Sequence, residues 1–149
     1  MRRFRVAKRG EGGQALTEFA LISLIFFMLV FGMIDIGRAV WHYNALAEAT
    51  REGTRYAIVH GADSSDPSGP GSSYYTSPNS DTQVSQVVEN HAGSLNTLQL
   101  TVETTWIDGT NEKGNRVTVS SQYTYTPIFN MFGILEFDMS SSSTMAIAN

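Results

Sequence analysis

The chain opens with a long apolar run that has the length of a membrane-spanning helix. Residues 15–34 read ALTEFALISLIFFMLVFGMI, and from the first phenylalanine on only Ser23 and Gly32 interrupt the large apolar residues and alanine. At 1.5 Å per residue, twenty helical residues measure about 30 Å, the thickness of the hydrocarbon core of a bilayer. The pattern therefore predicts a transmembrane helix over about residues 15–36.

The same helix is predicted to continue beyond the apolar run. Residues 36–57 contain no proline. Four apolar residues in this part recur at the spacing of one helical face: Ile36, Val40, Tyr43 and Ala47. A helix from about Gln14 to Val59 would be about 70 Å long.

The remaining sequence predicts a loop, a short helix and three strands. Residues 61–82 are rich in Gly, Ser, Pro and Asp and predict a flexible loop. Residues 82–92 carry apolar side chains at helical spacing. Alternation of period two predicts strands over residues 98–106, 117–125 and 139–147. Residues 128–137 are apolar and irregular, which fits a loop on the core or a contact surface. We expect an α+β fold, with a three-stranded antiparallel sheet packed on the upper part of the long helix.

Charge is scarce and unevenly placed along the 149 residues. The chain has 10 Lys and Arg against 14 Asp and Glu, a formal net charge of −4, and this mild acidity argues against a nucleic-acid partner. Half of the cations stand at the start of the chain: Arg2, Arg3, Arg5, Lys8 and Arg9. Because positive charge is retained on the cytoplasmic side, we expect a cytoplasmic N-terminus and an exported C-terminal part.

The sequence offers little for catalysis or metal binding. The absence of cysteine excludes a disulfide framework, a thiolate zinc site and a cysteine nucleophile. His42, His60 and His91 are scattered, and none has metal-ligand spacing, so we expect each at the surface or an interface. We predict no enzyme, no cofactor and no metal. A small anchored hydrolase is the enzymatic alternative, and it would need an acid–base cluster assembled by the fold.

A secretory signal peptide is the alternative interpretation of the basic tip and the apolar run. The apolar part of such a signal usually has about 7–15 residues, which is shorter than the run observed here. No small-x-small cleavage site follows, and the helical pattern continues instead. We therefore expect a retained membrane helix.

At the junction before the apolar run, Gly13 and Gln14 are followed by Glu18 and Phe19, between a basic leader and an apolar helix. This junction resembles the class III signal of type IV pilin-like proteins. The resemblance implies that an inner-membrane prepilin peptidase cuts between Gly13 and Gln14. It also implies that Glu18 neutralises the N-terminal ammonium of a neighbouring subunit and sets the register between subunits, with Phe19 beside it.

Three marks stand out over a longer stretch, about residues 10–60: the Glu18–Phe19 junction, the segment DIGR that starts at Asp35, and the segment ATREGTRYA at residues 49–57. Together they resemble the TadE-like family of the tight-adherence (Flp-type) pilus system. The resemblance implies a pilin-like fold and a minor pseudopilin. Opposite charges at i,i+3 pair Asp35 with Arg38, Glu48 with Arg51 and Glu52 with Arg55. Five helix charges become candidates for subunit contacts, although a solvated helix face is the plainer interpretation: Asp35, Arg38, Arg51, Glu52 and Arg55.

The resemblance also implies how the chain is organised and what it meets. The expected units are a basic prepilin leader 1–13, a long helix 14–60, a flexible loop 61–82 and a small exported α+β domain 83–149. Expected partners are the inner-membrane bilayer, a prepilin peptidase, other pilins or pseudopilins and pilus platform proteins. Two alternatives stay open: a type II secretion pseudopilin, which the segment at residues 49–57 disfavours, and a plain single-pass anchored binding module.

Overall fold

The computed structural model describes residues 11–69, 73–76, 83–93, 95–129 and 136–148. Most of the predicted leader 1–13 therefore lies outside the described residues, and so do residues 130–135. The elements, in chain order, are helix α1 Glu11–Val59, strand β1 Ser73–Thr76, helix α2 Gln83–His91, a 3-10 turn Thr97–Gln99, and strands β2 Leu100–Trp106, β3 Arg116–Tyr125 and β4 Phe137–Ala146. The long helix is thus continuous from the junction to the end of the segment that resembles TadE-like proteins.

The strands form one antiparallel sheet in the order β1-β2-β3-β4. Leu100 pairs with Tyr123, and Tyr125 pairs with Phe137. The predicted α+β fold, a long helix packed on a small antiparallel sheet, is confirmed. The sheet gains a fourth strand, β1, inside the segment 61–82 that was predicted to be a loop.

The first predicted strand begins two residues later than expected. The side chain of Asn96 accepts a hydrogen bond from the backbone N–H of Leu98, and this cap turns residues Thr97–Gln99 into a 3-10 turn. Leu98 is consequently exposed. The alternation that included Leu98 was therefore wrong at its first position, because a local side-chain cap competes with the strand.

One face of the sheet forms the core with the two helices. Along β2 and β3 every second residue is buried, which is the period of a strand with one packed face. The buried apolar side chains of this face include Val102, Val117, Val119 and Tyr123. On the opposite face, hydroxyl groups pair across strands, as Ser120 donates to Ser142 at 3.1 Å.

The part of α1 that packs on the sheet and on α2 presents mainly small residues. Its buried positions are His42, Leu46, Ala49, Thr50, Gly53, Thr54 and Ala57. A Cβ atom on Gly53 would lie 2.4 Å from Cγ2 of Val88, so this glycine allows α1 and α2 to approach closely. The apolar face predicted from Ile36, Val40 and Tyr43 is a different one, and these three side chains are 67%, 56% and 48% exposed.

Part of the segment predicted to be a flexible loop packs on the turn between β2 and β3. The backbone N–H of Ala62 donates to the carbonyl oxygen of Asn111 at 2.9 Å, and Asn111 Nδ2 donates to the carbonyl oxygen of Gly69 at 2.8 Å. Gly69 lies directly against the ring of Trp106, where a Cβ atom would not fit. Residues 61–69 are thus tied to the domain by their backbone.

Candidate functional site

The first half of α1 exposes its apolar surface to the surroundings of the protein. Among the described residues, α1 is the one helix long and apolar enough to cross a bilayer, and none of its most apolar stretch is buried in the chain. A signal sequence would pass the same test of length and composition. Here, however, the apolar stretch continues without a break into the half that packs on the sheet.

The predicted processing site lies in the first turns of α1. Gly13 and Gln14 are exposed, and a Cβ atom on Gly13 would meet no atom within 4 Å. Nε2 of Gln14 donates a hydrogen bond to Oε1 of Glu18 at 2.9 Å. Phe19, the next residue, is 69% exposed. The helix therefore brings Glu18 to Gln14 and leaves Phe19 free of the domain.

Asp35 lies at the end of the apolar run and connects the helix to the sheet. Its Oδ1 accepts the backbone N–H of Ile128 and its Oδ2 accepts that of Phe129, both at 3.0 Å. The backbone oxygen of Asp35 accepts the hydroxyl of Tyr125 at 3.1 Å. We call these four residues the Asp35 latch. The latch fixes the start of the β3–β4 connection to α1.

Arg38 and His42 follow the latch on the same face of α1. Nη1 of Arg38 is 4.0 Å from Oδ1 of Asp35, the outer limit of an ion pair, and its Cζ lies 5.8 Å from the ring centroid of Tyr125. The ring of His42 meets the rings of Tyr123 and Tyr125 edge to face, at 5.6 and 5.4 Å between centroids. The predicted Asp35–Arg38 pair is thus secondary to the bonds that Asp35 makes with the backbone.

His42 is a core residue, and the prediction that it lies at the surface or an interface was wrong. The residue is 6% exposed, and its Nδ1 has no hydrogen-bond partner among the described residues. Burial, and then the positive charge of Arg38, lower the pKa of His42. Asp35, Arg38 and His42 are spaced i, i+3, i+7, so a search of helix faces for polar residues could have found them together.

Most of the long helix matches a known protein family. Residues 13–55 match the family model described as TadE-like protein. This segment is TadE-like. The match covers most of α1, less than half of the chain and none of the sheet. No curated protein and no solved structure matches the chain. The TadE-like segment and its apolar stretch together indicate a protein associated with a membrane and with a tight-adherence pilus system.

The charges in the upper part of the TadE-like segment lie outside the core. Arg55 Nη1 and Glu52 Oε1 form an ion pair at 3.1 Å, and the Arg55 side chain is 66% exposed. Arg51 is also exposed, and the structure shows no ion pair between Glu48 and Arg51. An exposed pair of this kind stabilises a helix by about 0.5 kcal/mol at most. In the segment ATREGTRYA at residues 49–57, the small side chains are part of the core, and most of the charged side chains face outward.

The exposed face of the sheet carries a shallow polar groove of about 300 Å³. Its lining is mostly hydroxyl groups, among them Thr101, Ser120, Ser140 and Ser142, with Glu103 as the one titratable residue. Among the residues that the structure describes, no three His, Asp or Glu side chains are close enough to hold a metal ion. The TadE-like family is structural and pilus-associated, so the helix, and not this groove, is the candidate functional site.

Proposed function

We propose that this chain is a minor, pilin-like structural protein of a tight-adherence (Flp-type) pilus, and not an enzyme. One observation carries the proposal. The TadE-like match begins at Gly13, the residue after which the junction pattern predicts cleavage, and continues along α1 to Arg55. The same helix joins an unburied apolar half to a half packed on a folded domain. That combination suits a subunit that is held in a bilayer before it joins a filament.

In this proposal α1 crosses the inner membrane over about residues 15–36. The basic leader keeps the N-terminus in the cytoplasm, and the sheet and α2 are exported. Large apolar side chains such as Leu21, Ile25 and Leu29 are more than half exposed, and apolar surface of this extent needs lipid or protein to cover it. The partners are therefore the bilayer, a prepilin peptidase, other pilins or pseudopilins and the pilus platform.

Cleavage between Gly13 and Gln14 gives the mature chain a new N-terminal ammonium. Glu18 is one helical turn away, about 6 Å along the axis. Its bond to the Gln14 side chain supports this arrangement, because the carboxylate lies within hydrogen-bond reach of the residue that cleavage would make N-terminal. In a medium of low dielectric constant an unpaired charge is far more costly than a paired one. Glu18 would accordingly pair with the ammonium of a neighbouring subunit and fix the axial register.

The test is the mass of the mature N-terminus, measured on the full chain from membranes with and without its prepilin peptidase. We expect a chain that begins at Gln14 only when the peptidase is present. A Gly13→Leu variant should stay uncut, and its helix should tolerate the change because the space around Gly13 is open. Gly37→Leu is the matched control, since Gly37 is equally open and lies in the same helix.

Each other outcome contradicts the proposal in a different way. A wild-type chain that still begins at Met1 in the presence of the peptidase would indicate a plain membrane anchor. A chain that begins near Ala39 or later would indicate a secretory signal, and the pilus function would then be wrong.

A further inference from the structure

The start of the β3–β4 connection lies against the apolar half of α1, away from the core of the domain. The ring of Phe129 stacks on the ring of Phe31, with centroids 4.2 Å apart and planes inclined by 13°. Phe31 in turn stacks on Phe27, one turn further into the apolar run. Ile128, beside Phe129, is 58% exposed. An aromatic side chain of the exported domain therefore extends the aromatic row of the membrane helix.

The position of Phe31 along α1 gives the depth of this contact. Phe31 precedes the end of the proposed span, at about residue 36, by roughly 7 Å of helix. Phe129 lies at the level of Phe31 and is thus below the end of the span. Trp41, which is 58% exposed, lies roughly 7 Å above that end, where aromatic residues anchor a span at the interface. Ile128 and Phe129 are therefore at the level of lipid.

The backbone N–H groups of Ile128 and Phe129 have hydrogen-bond partners within the protein, as a position in lipid requires. Backbone N–H groups near hydrocarbon need partners within the protein, because an unpaired donor there is costly. The Asp35 carboxylate accepts the N–H groups of both Ile128 and Phe129. The first charged residue after Ile128 is Glu136. The Asp35 latch thus satisfies the two donors that would otherwise face lipid.

We propose that Ile128 and Phe129 form a second membrane contact, which inserts into the outer leaflet beside α1. We call this pair the membrane foot. The inference depends on the proposed transmembrane position of α1, and the partner is the lipid bilayer itself. If α1 were the single attachment to the bilayer, the exported domain could rotate about the axis of this helix. The membrane foot adds a second attachment, which fixes the face of the domain that is turned toward the membrane surface.

The experiment uses the absence of cysteine, which makes every introduced cysteine unique. The full-length variants Ile128→Cys, Leu24→Cys and Lys113→Cys are labelled with a nitrobenzoxadiazole fluorophore and reconstituted in phosphatidylcholine–phosphatidylglycerol vesicles. Leu24 reports the middle of the span, and Lys113 lies in the exposed β2–β3 turn at the other end of the sheet. Lipids with a nitroxide high or low on the acyl chain then quench each label according to its depth.

We expect the label at residue 128 to lose most of its fluorescence with the shallow nitroxide lipid. The label at residue 24 should respond to the deep nitroxide, and the label at residue 113 to neither. Adding Asp35→Ala to Ile128→Cys should abolish the quenching at residue 128 and leave Leu24→Cys unchanged in the same background.

The contrary outcomes are distinguishable. If residue 24 is quenched and residue 128 is not, the membrane foot is wrong while the membrane span stands. If the label at residue 128 escapes lipid quenching and its emission depends on the protein-to-lipid ratio, a second copy of the chain covers the patch, and the foot is again wrong. If residue 24 itself is not quenched, the proposed membrane anchoring fails, and the foot fails with it.

Discussion

Asp35 shows how a single side chain can have a different role from the one that its sequence pattern indicates. Its spacing predicts a pair with Arg38, which the structure contains at 4.0 Å, but its carboxylate also accepts two backbone N–H groups of the β3–β4 connection. Leaving such donors unpaired costs about 1–3 kcal/mol. We expect Asp35→Ala to lower the free energy of unfolding by that amount, measured by urea denaturation of the full chain in detergent. Glu52→Ala, which breaks an exposed ion pair, is the control and should cost about 0.5 kcal/mol or less. Equal effects of the two variants would rule out the latch.

His42 is expected to make the stability of the domain depend on pH. Because burial and Arg38 lower its pKa in the fold, the unfolded chain binds the proton more readily. The neutral His42 ring therefore stabilises the fold fully above about pH 6.5, the ordinary pKa of histidine. This stabilisation is lost as the pH falls below that value. We expect the thermal midpoint to fall between pH 7 and pH 5, and His42→Phe to remove part of that fall. His91→Phe is the control because its side chain is exposed. An unchanged slope in His42→Phe would contradict the assignment.

Between elements, α1 and α2 approach each other closely at Gly53. A methyl group there would collide with the stiff side chain of Val88. We expect Gly53→Ala to destabilise the fold by about 1–3 kcal/mol, although alanine gains about 1 kcal/mol over glycine in an unobstructed helix. Gly37→Ala has open space and should be neutral or stabilising. The double variant Gly53→Ala/Val88→Ala should recover part of the loss, measured in the same urea titration. If Gly53→Ala is as stable as Gly37→Ala, the helices are not in close contact at this point.

The elements themselves could largely be predicted from the sequence, while the packed face of α1 could not. Period-two alternation identified the hairpin of β2 and β3, and the apolar run identified the first half of α1. The upper half of the helix packs mainly through alanine, threonine and glycine, together with Leu46 and His42, and large apolar residues such as Ile36 and Val40 point outward. A search for large apolar side chains therefore finds the exposed face, because close helix packing selects small residues. The bonds of Asp35 could not be predicted either, since they join residues 93 and 94 positions apart in sequence.

On the scale of the whole molecule, the two halves of α1 have different surroundings: the apolar half is not buried in the chain, and the upper half packs on the sheet and on α2. The upper half and the sheet share one core, whereas in the apolar half Phe31 stacks on Phe129 of the β3–β4 connection. The family match covers both halves of the helix as far as Arg55 and omits the sheet, so the TadE-like character lies in the helix. The sheet and α2 lie outside the matched segment.

This division predicts a selective defect for Glu18→Ala. The variant loses an exposed carboxylate at the start of the apolar half, far from the core, so insertion, folding and cleavage at Gly13 should be unchanged. Assembly should decrease strongly, because the ammonium of a neighbouring subunit would lack its partner among apolar helices. The measurement compares the mature fraction in membranes with the amount of the chain that co-purifies with other pilus components. Glu48→Ala, an exposed acid on the upper half of α1, should assemble like the wild type. Normal assembly of Glu18→Ala would show that Glu18 does not set the register, even if the chain is a processed, pilin-like subunit.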